Sequence, residues 1–122
     1  MRCAYKLRAY PTHPQEGRAV RLLADHCDLY NAALAERREA WRMGNRSVAY
    51  GDQSAQLKEI RAADPDGQGR HSFSAQQQTL RRLNVVFAAY YRRFRDAEKR
   101  RQQAERKHQK EREVGYPRFK PY

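Results

Sequence analysis

His26 and Cys27 stand side by side, the one place where a thiol and an imidazole come close in the chain. On a helix, successive side chains point about 100° apart, so the two cannot act as a nucleophile and its base. Cys27 also falls on an apolar stripe, which reads as a buried structural thiol. Asp25 and Asp28 share a helix face, and a carboxylate pair can hold magnesium; Arg21, four residues before Asp25, makes a solvated ion pair the simpler reading. His13, His71 and His108 have no metal-ligand spacing to one another or to a cysteine. The six glycines are scattered, so no loop is built to cradle a phosphate. These residues carry no catalytic constellation, and none is assigned.

Arginine is the residue type with chemistry to offer. The chain has 20 Arg and 6 Lys against 14 Asp and Glu, a net charge of +12. A guanidinium matches phosphate with a planar fork and stacks on bases, and neutralised phosphates release counterions. Residues 62–122 hold a net +8, and Arg92 to Arg112 alone hold 10 basic and 4 acidic residues. Arg81 and Arg82, then Arg92, Arg93 and Arg95, lie on the polar side of one long helical pattern; Arg37, Arg38 and Arg42 end another. Each set is placed to track a phosphate backbone. Tyr5, Tyr10, Tyr50, Tyr116 and Phe119 lie outside the main apolar stripes and are available to stack on bases, although Tyr5 alternates with Leu7 and reads as core filling.

With 39% apolar residues and a mean hydropathy of −1.15, the core must be thin. No apolar run approaches the roughly 18 residues of a membrane span. Lys6 and Arg8 interrupt the start, and two cysteines cannot build a disulfide framework or a four-cysteine zinc site. The composition points to a soluble, intracellular, polyanion-seeking chain.

Several elements must position these residues. Cys3 to Tyr10 alternate as a half-buried strand stopped by Pro11. Thr12 to Gln15 read as a capping box with Pro14 in the first turn. Val20, Leu23, Cys27, Tyr30, Leu34 and Trp41 then form one stripe of a long helix, which Gly44 and Asn45 end. A shorter helix runs from about Tyr50 to Ala63 with Leu57 and Ile60 inward, capped by Ser47 or Asp52. Asp64 to Gly67 form a loop. Ser74 to Gln77 repeat the capping logic and open a third helix, whose stripe is Leu80, Leu83, Phe87, Tyr90 and Phe94 and which reaches about Arg112. Gly115 ends it, and Pro117 and Pro121 keep Tyr116 to Tyr122 out of a helix. The fold expected is mainly α: an N-terminal strand, a long, a short and a very long helix, and a C-terminal extended segment. Two short strands are marginal alone, so the chain reads as the front of a larger α+β protein.

Taken in order, Tyr5-Lys6-Leu7-Arg8-Ala9-Tyr10-Pro11, Tyr30-Asn31-Ala32-Ala33-Leu34, Ser47 to Leu57, Gln77 to Arg92 and Gly115-Tyr116-Pro117-Arg118-Phe119-Lys120 resemble the N-terminal part of the OrfB/TnpB proteins of the IS200/IS605 transposon family. The resemblance implies a role in an RNA-guided DNA endonuclease of a mobile element, in the prokaryotic cytoplasm and associated with the nucleoid. It implies that residues 1–11 are the first strand of a wedge β-barrel. Residues 12–114 become a helical recognition lobe, with helices over about 13–43, 50–63 and 75–112, and residues 115–122 a truncated return to the barrel. Its partners would be DNA and structured guide RNA, with no membrane and no small-molecule substrate. Tyr50 and Ser54 match family positions beside the target-flanking duplex, and Gln77 matches one at the start of the third helix; Arg81, Arg82, Arg92, Arg93, Arg95, Arg118 and Lys120 complete the expected nucleic-acid-binding residues. Phe73 and Ser74 depart from the polar-then-aromatic order of relatives, so motif specificity is not transferred. The region is also described in the family as a helix-turn-helix; the helices here are too long for the ordinary motif, and its groove-docking geometry is not carried over. The acidic triad that binds Mg2+ and the zinc ribbon that binds Zn2+ in the parent would follow Lys120, so this chain needs no cofactor and should not cut DNA. The alternatives are a basic helical interaction protein that docks an acidic partner, or a decayed transposase remnant.

Overall fold

The computed structural model describes residues 2–107 and 115–121. Three helices carry it: α1 (His13–Gly44), α2 (Tyr50–Ala63) and α3 (Phe73–Lys107), with a single 3-10 turn at Gln68–Arg70 between the last two. The expected part of α3 from 108 to about Arg112 lies outside the described residues.

Helix α1 starts where its capping signal lies. Gln15 reaches back so that its side-chain oxygen accepts the Thr12 N–H at 2.9 Å, and Pro14 sits in the first turn. It ends on Asn45, whose φ of 50° is left-handed. There the Asn45 N–H donates to the Trp41 carbonyl (2.9 Å) and the Arg46 N–H to the Ala40 carbonyl (3.1 Å), closing groups the helix leaves open. Helix α2 begins after Ala49, and Asp52 accepts the Ala49 N–H at 3.0 Å. Of the two expected caps, Asp52 acts, from inside the first turn. Helix α3 opens earlier than the Ser74 reading. Ser72 precedes its first turn, its hydroxyl accepting the Ala75 N–H and its carbonyl the Gln76 N–H.

The α2–α3 loop is shaped by Asp64, whose carboxylate accepts the backbone N–H groups of Gly67 and Gln68, both at 3.1 Å. Arg61 then gathers the far side, donating to the carbonyls of His71 and Gly69 and to the Gln76 side-chain oxygen. Gly69 is required there, since a Cβ would lie 2.8 Å from the Arg61 carbonyl oxygen.

The core is short. Leu29, Tyr30, Ala33 and Leu34 of α1 meet Leu57 of α2 and Leu80, Leu83 and Phe87 of α3, with Tyr50 and Ile60 against the edge. Three polar residues are buried among them: Arg37, Gln53 and Gln76. The stripes run beyond this core at both ends, where Val20 and Leu23 of α1, Trp41 near its end, and Phe94 of α3 are exposed rather than packed.

Two expectations are corrected. No strand forms among the described residues: residues 3–10 carry no regular structure, and Tyr5 and Leu7 (89% exposed) stand in solvent instead of filling a core. A lone strand leaves a row of backbone groups unpaired, and the only other candidate is held elsewhere. That candidate, residues 115–121, is neither helix nor strand; it lies on the helices. Asn31 of α1 clamps it from both sides, its amide donating to the Lys120 carbonyl (3.0 Å) and its oxygen accepting the Lys120 N–H (2.9 Å). Tyr116 packs edge-on against Phe87 and Tyr90, with ring centroids at 5.8 and 5.3 Å.

Candidate nucleic-acid interface

Tyr50 and Ser54 are one turn apart on α2, as are Gln77 and Arg81 on α3, so each pair shares a helix face. Leu57 and Leu80, buried in the common core, bring the two faces together. The Arg81 guanidinium lies over the Tyr50 ring, 5.4 Å from its centroid, and the Gln77 amide donates to the Ser54 hydroxyl at 3.4 Å. All four therefore form one patch across the α2–α3 seam. A guanidinium over an aromatic face is attracted to it while its N–H groups stay available as donors.

Arg81 also reaches the far side of α3, where with Arg82 and Lys120 it lines a cavity of about 770 Å³ floored by Leu23, Cys27 and Val85. The Lys120 ammonium stands 5.7 Å from the centre of the Tyr30 ring. Burial pushes the Tyr30 phenol up from its ordinary value, and Arg82 partly opposes this. Arg92, Arg93 and Arg95 stand exposed further along α3, where Arg93 also donates to the Ala89 carbonyl, and Arg118 is exposed on the C-terminal segment. At 1.5 Å per residue, Arg92 is about 16 Å along the axis from Arg81. The expected contact residues are therefore divided among the α2–α3 patch, the cavity beside α1, the exposed length of α3 and the C-terminal segment, not gathered in a single site.

Arg37 leaves the expected phosphate-tracking set. It is 8% exposed, donating to the Gln53 side chain at 2.9 Å and to the Asn84 oxygen at 3.5 Å, with its guanidinium 5.0 Å from the Phe87 centroid. Burial lowers its pKa, while Tyr91 and Glu36 favour the charged form, and an arginine remains protonated under such a shift. Gln53 completes the network by donating to the Ala33 carbonyl and to Glu36. Charge count and position near a helix end suggested a surface role, yet the spacing carried a signal: Arg37 follows Ala33 by four and Leu34 by three, on the buried face.

Asp25 is likewise reassigned. Its carboxylate bonds His71 Nε2 at 2.6 Å instead of pairing with Arg21, which ties α1 to the end of the loop. His26 bonds Thr79 of α3 at 2.9 Å, and its ring lies 5.5 Å from that of His71. Among the described residues, no three His, Cys, Asp or Glu side chains converge as a metal site would need. No described helix is long and apolar enough to cross a membrane.

A family model described as a helix-turn-helix domain, that of the OrfB proteins of IS605 elements, matches residues 1–46. No curated protein and no solved structure matches the chain. The matched stretch contains a single helix, α1; the left-handed turn at Asn45 closes it, and α2 follows five residues later. Residues 1–46 of this chain are thus similar to the helix-turn-helix domain of the OrfB proteins of IS605 elements.

Proposed function

We propose that this chain is the nucleic-acid-holding part of an OrfB/TnpB-type RNA-guided endonuclease. It grips target-flanking duplex DNA at the α2–α3 seam and guide RNA along its basic helices. The domain match supports DNA binding by the N-terminal region. The observation that supports the finer reading is the convergence on one patch of Tyr50, Ser54 and Gln77, named from the family resemblance, with Arg81, named for phosphate contact. Duplex phosphates would meet Arg81 and the arginines that follow it. Base edges would meet the amide of Gln77 and the hydroxyls of Ser54 and Tyr50, groups able to donate and accept. In this reading residues 1–11 gain strand partners from a barrel supplied by the rest of the parent, and the chain itself cuts nothing.

Fluorescence anisotropy with a labelled duplex tests this. Gln77→Ala should reduce the preference among duplex sequences while leaving nonspecific affinity within about twofold, because it removes a base-edge donor rather than a charge. Arg81→Ala should weaken binding to every duplex alike. Binding unaffected by both substitutions would contradict the assignment of the seam.

A further inference from the structure

A second cleft lies between the end of α1 and the middle of α3, about 560 Å³ in volume, a size typical of small-molecule sites. Its walls include Trp41, Tyr91 and Phe94, which are 61%, 54% and 57% exposed, and its back wall is Phe87, Tyr90 and Tyr116. The back-wall rings pack on one another, whereas Trp41 has no ring partner among the described residues. Three large aromatics left half in water around one opening are uncommon on a chain with so few apolar residues.

The chemistry around the opening selects the occupant. Arg37 and Arg46 line the cleft, and Arg38 is near enough to draw the Tyr116 phenol down against the larger effect of burial. Among the described residues, no carboxylate lines it. Asn84 Oδ1 is taken by Arg37, which leaves the amide N–H groups of Asn84 as donors at the wall. Flat apolar faces, an amide donor and a cationic surround suit a planar heterocycle on an anionic chain.

We propose that this cleft seats an unpaired nucleobase of single-stranded DNA, stacked against Trp41 and Phe94 with its phosphate beside Arg46. The site is separate from the α2–α3 seam and rests on the reading that the chain handles nucleic acid. Trp41 is the only tryptophan, so its emission reports on the cleft.

The test titrates the full chain with a thymidine dodecamer and with an abasic deoxyribose-phosphate strand of equal length. The dodecamer should quench Trp41 emission and bind about 5- to 150-fold more tightly than the abasic strand, the range that stacking one base supplies. Phe94→Ala should bring the two affinities together with helical circular dichroism unchanged, since that ring lies outside the core. Equal affinity and equal quenching by the two strands would overturn the cleft assignment while leaving phosphate binding intact. No binding of either strand would overturn the nucleic-acid reading with it. Preference for a uridine dodecamer would overturn the assignment to DNA, and quenching that follows protein concentration without DNA would assign the cleft to a second copy of the chain.

Discussion

The Phe87 ring fills the space between α1 and α3 with the Arg37 guanidinium on one side and the edge of Tyr116 on another. Truncation to alanine removes the ring and leaves both neighbours facing a void, so Phe87→Ala should cost about 3–5 kcal/mol in urea unfolding. Arg95→Ala should leave the unfolding midpoint unchanged and weaken duplex binding, because Arg95 lies outside the core on the exposed face of α3. Equal destabilisation by both would mean that the packed face of α3 is misassigned. His26 makes a different prediction. Burial chiefly holds its pKa below the ordinary value of 6.5, the nearby His71 adds to the effect, and Asp25 opposes it. The unfolded chain therefore takes up this proton at a higher pH than the folded one. Its stabilising contribution is complete above about pH 6.5 and is lost as pH falls through the folded-state value. The thermal midpoint should drop between pH 7 and pH 5, and His26→Gln should flatten that drop; an unchanged slope in the variant would contradict it.

Among the elements, the C-terminal segment is held by Asn31 and by the aromatic packing of Tyr116. Two hydrogen bonds from Asn31 hold Lys120 to α1. Asn31→Ala should speed tryptic cleavage after Arg118 by roughly tenfold, at about 1 kcal/mol per lost bond shared with the Tyr116 contact, without loss of helix signal. A segment cleaved no faster in the variant would show that the aromatic packing alone retains it. The helices themselves were legible because local chemistry sets them: Gln15 reaches back to Thr12, Asn45 takes the left-handed turn, and Asp64 shapes its loop. The buried polar residues were legible in part. Gln53 precedes Leu57 by four and Gln76 precedes Leu80 by four, so spacing put them on the packed face, but their bonding partners come from other elements. The strand expected at residues 3–10 could not be judged locally at all. Its alternation is real, yet a strand exists only where another pairs with it.

For the whole molecule, charge and packing are divided along the helices. The core occupies the crossing of α1, α2 and α3, while the first turns of α1 and the part of α3 over residues 98–103 extend past it with exposed side chains. Part of the positive charge, including Arg18, Arg21, Arg92, Arg93, Arg95, Arg100 and Arg101, is thus displayed on exposed helix, which raises the field available to a polyanion. Of the residues at the α2–α3 seam, Tyr50, Ser54 and Gln77 were named from the family resemblance and Arg81 from the arginine pattern of the third helix, whereas the aromatic cleft was not named at all. Trp41 and Phe94 sit on the same stripes as the core residues, and only the helix crossing point decides where burial stops. The measurement that tests this account most directly is duplex affinity across a series of salt concentrations, for the full chain and for Arg81→Ala. The account predicts a steep linear fall of log affinity with log salt, and a slope smaller by about one for the variant. Affinity independent of salt, or a slope that Arg81→Ala leaves unchanged, would contradict the claim that the seam grips the phosphate backbone.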